Sequence, residues 1–98
     1  MMTVIDKLVG LVDKLYAETH DYLDNPSDAQ LWYNRGYANG VVAYFNKNGF
    51  AEKLNHLTLD DESIHKKDQV MEWHKAYHHG FEMGERESGE VHLASSES

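Results

Sequence analysis

The chain has 98 residues, and its 9 Lys and Arg against 17 Asp and Glu give a net charge of −8. A chain this short builds one core, which excludes two independent domains. We expect one helical domain over residues 1–93 and a disordered tail over 94–98. The absence of cysteine excludes disulfides, thiolate metal sites and cysteine nucleophiles.

No apolar run approaches the roughly 18 residues that a membrane span requires. The first six residues also lack the basic segment of a secretory signal. The sequence therefore predicts a cytoplasmic protein with no membrane contact. Because its excess of acids repels phosphate, direct binding of nucleic acid is not expected.

Apolar residues at spacings of three and four predict a first helix over residues 4–23, with Thr3 as its N-cap. The only proline of the chain then interrupts this pattern. Just beyond it, Ser27 and Gln30 have capping-box spacing, which predicts a second helix over residues 28–47.

The dipeptide Asn48-Gly49 predicts a left-handed end to the second helix, with Phe50 folding back as its hydrophobic contact. A third long helix is predicted over residues 61–87, ending at Ser88-Gly89. Alternating strand patterns are absent from the sequence, so the predicted fold class is all-α.

A motif of the form aromatic-polar-basic-small-Tyr-x-x-Gly occurs twice, over residues 33–40 and 73–80, at an offset of 40 positions. Each glycine inside a helix costs about 1 kcal/mol relative to alanine, and close packing against another backbone can offset that cost. We therefore predict that the last two helices form a tightly packed, pseudo-symmetric pair. In the alternative interpretation, the glycines clear space for a ligand or for a partner's side chain. The predicted packing residues are Gly36, Tyr37, Gly40, Ala76, Tyr77 and Gly80.

The stretch Asn34-Arg35-Gly36-Tyr37-x-x-Gly40 is similar to the Arg-Gly-Tyr-x-x-Gly stretch of ribosome modulation factor, a family of small helical ribosome-hibernation proteins. That family is basic and binds ribosomal RNA, whereas this chain is acidic. In size, acidity and helicity the chain also resembles the small host-takeover and anti-defence proteins of phages. This second resemblance implies an inhibitor or modulator that acts in the cytoplasm of a host cell.

The seven histidines of the chain include His74 and His78, whose spacing lets two imidazoles of one helix reach a single ion. Glu82 continues the same face. A divalent metal such as zinc on these three residues is therefore an alternative to the main expectation of no cofactor. In that main expectation, the histidines form a solvated face whose charge responds to pH. No nucleophile elbow, phosphate-binding glycine loop or His-Glu-x-x-His motif occurs, so an enzyme is not expected.

The second predicted helix is apolar nearly all round, which places it either at the centre of the fold or half-buried in a partner. Aromatic residues are enriched at protein interfaces, and an acidic surface favours a basic site on the partner. The sequence thus predicts a non-enzymatic protein that binds and modulates another protein. A DNA mimic of the antirestriction type and a homodimer are alternatives. The predicted partner-binding residues are Trp32, Arg35, Tyr44, Asp60, Asp61 and Glu62.

Overall fold

The computed structural model describes residues 3–60 and 72–94. It contains three α-helices, α1 (Val4–Glu18), α2 (Ala29–Lys47) and α3 (Glu72–Ala94), with short 3₁₀ helices at Tyr22–Asp24 and Ala51–Leu54. No strand occurs within the described residues, and the predicted all-α class is confirmed. The first part of the predicted third helix, with Asp61 and Glu62, lies outside them. So does the predicted tail beyond Ala94.

Helix α1 begins as predicted but ends earlier. The Thr3 hydroxyl accepts a hydrogen bond from the Asp6 amide at 3.1 Å, and the Asp6 carboxylate accepts one from the Thr3 amide at 3.3 Å, which confirms the N-cap. The predicted continuation to residue 23 is wrong, because the helix stops at Glu18. Arg35 donates to the Tyr16 carbonyl at 3.2 Å, and this cation satisfies one of the carbonyl groups left open at a helix C-terminus.

Both ends of α2 are defined by caps. Asp28, not Ser27, is the N-cap, and its carboxylate accepts a hydrogen bond from the Leu31 amide at 3.1 Å. The predicted capping box of Ser27 and Gln30 is therefore wrong by one residue. At the other end, Gly49 has a φ of 81°, and the Phe50 amide donates to the Phe45 carbonyl at 2.8 Å. Because the two phenylalanine rings also touch, the predicted Schellman-type cap is confirmed.

The predicted end of the third helix at Ser88-Gly89 is wrong, since α3 continues to Ala94. Ser88 is buried, and its hydroxyl donates to the Gly84 carbonyl at 2.7 Å, so it is satisfied inside the helix. Gly89 faces the Tyr44 ring: a Cβ atom at this glycine would lie 3.3 Å from it. This glycine therefore makes room for an aromatic ring and does not terminate the helix.

Helices α2 and α3 run parallel and pack backbone against backbone. A Cβ atom on Gly36 would lie 2.0 Å from the Tyr77 carbonyl oxygen, and one on Gly80 would lie 2.1 Å from the Tyr33 carbonyl oxygen. Gly40 and Gly84 make the same kind of approach one turn further along. Any side chain at these four positions would force the helices apart, so the glycines permit the crossing.

These reciprocal contacts relate residues 44 positions apart, since Tyr33 and Gly36 correspond to Tyr77 and Gly80. The repeat predicted from the sequence has an offset of 40, one helical turn less, and that pairing stays a prediction. The ambiguity has a simple source. An aromatic residue followed three positions later by glycine recurs every four residues along each helix, so the two helices can be aligned in more than one way.

Helix α2 is the centre of the fold. Of the two positions predicted from its apolar character, central or half-buried in a partner, the structure shows the central one. Its Val41 and Phe45 side chains are fully buried and pack with Leu8 and Val12 of α1 in the main core. A second cluster joins Trp32 to Tyr22 and Tyr77. Within the described part of the chain, no helix is both long and apolar enough to cross a membrane.

Candidate functional site

A buried ion pair lies where α1, α2 and the segment before residue 61 meet. Arg35 of α2 donates two parallel hydrogen bonds to the carboxylate of Asp60, from Nε at 2.8 Å and from Nη2 at 2.9 Å. The side chains of Arg35 and Asp60 are only 8% and 14% exposed. This two-point geometry is the strong form of an arginine–carboxylate interaction.

The guanidinium of Arg35 is also held by aromatic rings. Its central carbon lies 3.7 Å from the centre of the Tyr16 ring and 4.8 Å from that of Tyr22, which are cation–π distances. Its Nη1 group donates to the Tyr16 carbonyl and, at 3.1 Å, to the Thr19 hydroxyl. The ring stacking and these bonds constrain the orientation of the guanidinium in addition to its pairing with Asp60.

Further hydrogen bonds extend the pair to α3. Asn39 donates from Nδ2 to Asp60 and to the Tyr77 hydroxyl, both at 2.8 Å, and its Oδ1 accepts from the Tyr16 hydroxyl. The Tyr22 hydroxyl donates to Asp60 at 3.2 Å. We call this set the Arg35 network, and it comprises Tyr16, Thr19, Tyr22, Arg35, Asn39, Asp60 and Tyr77.

The network keeps its groups in their ordinary charge states at neutral pH. Burial raises the pKa of Asp60, but hydrogen bonds from Arg35 and Asn39 outweigh burial and hold that pKa below its usual value. Burial also raises the pKa of the Tyr16, Tyr22 and Tyr77 hydroxyls. The carboxylate therefore stays ionised and the phenols stay protonated, which suits a structural and binding role more than proton transfer.

A cavity of about 100 Å³ opens beside the network, between α2, α3 and the segment that carries Asp60. Three residues of the Arg35 network are among those that line it: Asn39, Asp60 and Tyr77. The rest of the lining is mainly apolar. The lining residues besides these three are Val42, Ala43, Asn46, Leu59 and Phe81.

Two of the predicted partner-binding residues lie inside the fold, and for them the prediction is wrong. Trp32 is 3% exposed, and its indole Nε1 donates to the Asn25 carbonyl at 3.1 Å. Arg35 is engaged by the Arg35 network. Tyr44 is half-buried with its hydroxyl 2.6 Å from Nδ1 of His92, and Asp60 is paired with Arg35. The aromatic and basic residues that looked like interface anchors therefore stabilise this chain's own packing.

The histidine and glutamate side chains predicted to bind zinc do not form a site. His74 is completely buried, whereas His78 and Glu82 are exposed, although the two imidazole rings lie 4.5 Å apart. Among residues 3–60 and 72–94, no three His, Cys, Asp or Glu side chains are grouped to hold a metal ion. The burial of His74 also contradicts its expected place on a solvated histidine face.

An acidic turn between α1 and α2 was not predicted from the sequence; it carries Glu18, Asp21, Asp24 and Asp28, with Leu23 between Asp21 and Asp24 in the chain. All four acids are exposed, and the Leu23 side chain is 52% exposed. The sequence signal is the stretch over residues 15–34, which has four acids and no lysine or arginine.

Buried residues pack against the acidic turn and order it. Tyr22 is 1% exposed and packs its ring edge-on against Trp32, with ring centres 4.8 Å apart. The Asn25 carbonyl accepts the indole hydrogen bond of Trp32, and the Asn25 side-chain Nδ2 donates to the Asp21 carbonyl at 2.8 Å. The buried aromatic residues thus position an exposed leucine among carboxylates.

Comparisons of the chain with protein-family models, with curated proteins and with solved structures return no match.

Proposed function

We propose that this chain is a non-enzymatic protein that binds and modulates another protein, and that the acidic turn is its contact surface. The observation that supports the proposal is the exposure of Leu23 among four carboxylates on a turn anchored by Tyr22 and Trp32. An exposed apolar side chain within a polar rim is the arrangement that protein interfaces use.

The chemistry of the turn defines the partner. Four exposed carboxylates in a stretch that has no lysine or arginine from residue 15 to residue 34 attract a basic surface and accelerate its encounter. Leu23 then fits an apolar depression within that surface. Because the turn is already ordered by its buried supports, binding loses little conformational entropy.

Small size, acidity and helicity support a more specific form of this proposal. In that form the chain is a phage-type inhibitor of a host or defence factor and acts in the host cytoplasm. The residues shared with ribosome modulation factor make contacts within this chain: Arg35 pairs with Asp60, and Gly36 and Gly40 pack against the backbone of α3. They therefore lend no support to contact with ribosomal RNA.

The proposal is tested by comparing two variants of equal charge. The first carries Asp21→Asn, Leu23→Ser and Asp24→Asn in the acidic turn, and the second carries Glu52→Gln and Glu82→Gln at exposed positions elsewhere. Each tagged protein is used to capture partners from native lysate at about 0.15 M salt, a condition that screens weak surface attraction. Circular dichroism and unfolding midpoints verify that both variants are folded.

We expect the unmodified chain and the second variant to retain one stoichiometric protein, and the first variant to lose it. Equal retention by both variants would contradict the acidic turn as the contact surface. Recovery of the chain alone from every arm would contradict an outside partner and favour self-association.

A further inference from the structure

The dipeptide Asn-Gly occurs twice in the chain, and the two copies lie in opposite surroundings. Asn39 and Gly40 lie inside α2, and both are buried. Asn48 and Gly49 form the exposed end of the same helix. An asparagine loses its side-chain amide most readily before glycine, because glycine has no side chain to hinder attack by its backbone nitrogen. The two copies therefore present the same chemistry in a buried and in an exposed setting.

The fold protects the amide of Asn39. Its Nδ2 donates to Asp60 and to the Tyr77 hydroxyl, both at 2.8 Å, and its Oδ1 accepts from the Tyr16 hydroxyl. Gly40 packs against the backbone of α3. Attack by the Gly40 nitrogen would require these side-chain bonds to break and the helix to open inside a packed interior, and both changes are costly.

The amide of Asn48 is held at the surface. Its Nδ2 donates to the Tyr44 carbonyl at 2.8 Å, in an exposed position. Gly49 has a φ of 81°, and no atom of the described residues beyond its chain neighbours lies within 4 Å of a Cβ added there. For the Gly49 nitrogen to reach the side-chain carbon, the Nδ2 bond must open and the last peptide of the helix must rotate. Such local opening at an exposed helix end costs far less than unfolding.

The remaining four asparagines of the chain are followed by residues that hinder this reaction. Asn25 precedes Pro26, whose nitrogen carries no hydrogen to lose. Asn34, Asn46 and Asn55 precede arginine, lysine and histidine, whose side chains crowd the attacking nitrogen. The end of α2 therefore combines the reactive dipeptide with exposure to water.

We propose that Asn48 is a site of spontaneous deamidation, and that its conversion to an acid weakens the cap of α2. The Gly49 nitrogen loses its proton to hydroxide and forms a bond to Cγ of Asn48. The bond between Cγ and Nδ2 breaks, and Nδ2 takes a proton from water and leaves as ammonia, which closes a succinimide ring. This inference is independent of the proposed protein partner.

Water then opens the succinimide ring at either of its two carbonyl groups. The bond from that carbonyl to the ring nitrogen breaks, and the nitrogen regains a proton and remains the amide of the other carbonyl. The products are aspartate or isoaspartate at position 48. Overall one water is consumed and one ammonia is released, with no oxidation or reduction.

Either product weakens the cap. A carboxylate has no hydrogen to donate, so the bond to the Tyr44 carbonyl is lost. The new negative charge lies at a helix C-terminus, where the helix dipole disfavours it. Isoaspartate also adds a carbon to the main chain directly before Gly49, whose backbone angle defines the cap. Conversion therefore loosens the junction between α2 and the second 3₁₀ helix.

The test compares the two Asn-Gly copies within one chain. The folded protein is incubated at mildly alkaline pH, and peptide mapping by mass spectrometry locates each conversion of amide to acid over time. A parallel sample is kept unfolded in guanidinium chloride. We expect both asparagines to convert at similar rates in the unfolded chain. In the folded chain, Asn48 should convert and Asn39 should be at least about tenfold slower, since protection follows the free energy of local opening.

The variant Asn48→Gln identifies the signal, because a longer side chain forms the corresponding ring far more slowly, and it should remove conversion at position 48. Equal rates at Asn39 and Asn48 in the folded chain would overturn the proposal. So would conversion of Asn48 that occurs in guanidinium chloride and stops in the folded chain.

Two further variants test the effect on the cap. Asn48→Asp reproduces one product and should lower the midpoint of thermal unfolding by about 4–8 °C, the shift that loss of one hydrogen bond gives for a chain of this size. Asn34→Asp is the matched control. It adds the same charge to the same helix, and its Oδ1 can still accept the hydrogen bond from Gln30 at 2.9 Å. An unchanged midpoint for Asn48→Asp would show that the cap does not depend on the Asn48 amide.

Discussion

The carbonyl oxygen of Tyr77 lies 2.0 Å from the point where a Cβ atom on Gly36 would stand. The reciprocal relationship holds between the Tyr33 carbonyl and Gly80, at 2.1 Å. Helices that approach this closely exclude any side chain from their line of contact, because the neighbouring atoms are backbone and cannot rotate away. The close parallel packing of α2 and α3 therefore depends on glycine at the positions where the two backbones meet.

Gly36→Ala should destabilise the protein by about 3 kcal/mol, the upper part of the range for overpacking, since the added methyl group meets a carbonyl oxygen. Gly10→Ala is the matched control. Gly10 lies in α1 with nothing within 4 Å of its added Cβ, so the same change should stabilise by about 0.5–1 kcal/mol. Urea unfolding followed by circular dichroism measures both. Equal effects at the two positions would show that the crossing is not as close as described.

Asp60→Asn should cost about 3 kcal/mol at neutral pH, because it leaves the buried Arg35 guanidinium without its charged partner. The pKa of Asp60 in the folded chain lies below its ordinary value, so the stabilisation is complete above that ordinary value, about 3.9. It is lost as the pH falls through the lower, folded-state pKa.

The difference in unfolding free energy between the unmodified chain and Asp60→Asn should therefore be constant from pH 7 to pH 5 and shrink below about pH 4. Denaturant unfolding at a series of pH values measures it. Asp13→Asn serves as the control, since both partners of its pair with His56 are about half-exposed and such pairs contribute at most about 1 kcal/mol. A difference that persists unchanged to pH 2 would refute the assigned role of the carboxylate.

Gly49→Ala should destabilise the chain by about 1 kcal/mol, because Gly49 has a φ of 81° and an L side chain is disfavoured there. Gly49→Asn is the informative comparison, since asparagine tolerates the left-handed region and should recover part of the loss. Thermal unfolding of the three proteins ranks them. An alanine variant as stable as the asparagine variant would be inconsistent with the Schellman-type cap.

Tyr44→Phe should cost about 1 kcal/mol through loss of the 2.6 Å contact between the tyrosine hydroxyl and Nδ1 of His92. Amide hydrogen exchange in the last two turns of α3 should become faster, because this contact ties them to α2. A double-mutant cycle with His92→Phe isolates the pair. A coupling energy near zero would mean that the two side chains act independently.

Particular residues explain how far the fold was predictable. Thr3 and Gly49 were identified from the sequence because caps depend on local hydrogen bonds and local backbone angles. The helix ends at Glu18 and Ala94 were not predicted from the sequence. Arg35, which is distant in the chain, donates a hydrogen bond to a carbonyl in the last turn of α1, and Gly89 packs against the Tyr44 ring within α3. Local signals for an end carry no information about such distant partners.

The candidate site was predicted less well than the fold. The sequence indicated acidity and a protein partner, but it placed the contacts on Trp32 and Arg35, which the structure buries. The residue type alone does not show whether a tryptophan or arginine packs in the protein's own core or contacts a partner. Its neighbours in the folded chain decide between these two roles. The exposed Leu23 and its surrounding acids were hidden within a pattern that resembled a continuous helix.

The sequence by itself determined the all-α class, the caps of Thr3 and Gly49 and the acidic character, because these depend on composition and on residues near one another in the chain. Tertiary structure alone decided the parallel crossing of α2 and α3, the pairing of Arg35 with Asp60 and the exposure of the acidic turn. Each of these joins or separates residues many positions apart. Such relationships are settled by which surfaces pack together, and that is a property of the whole folded chain.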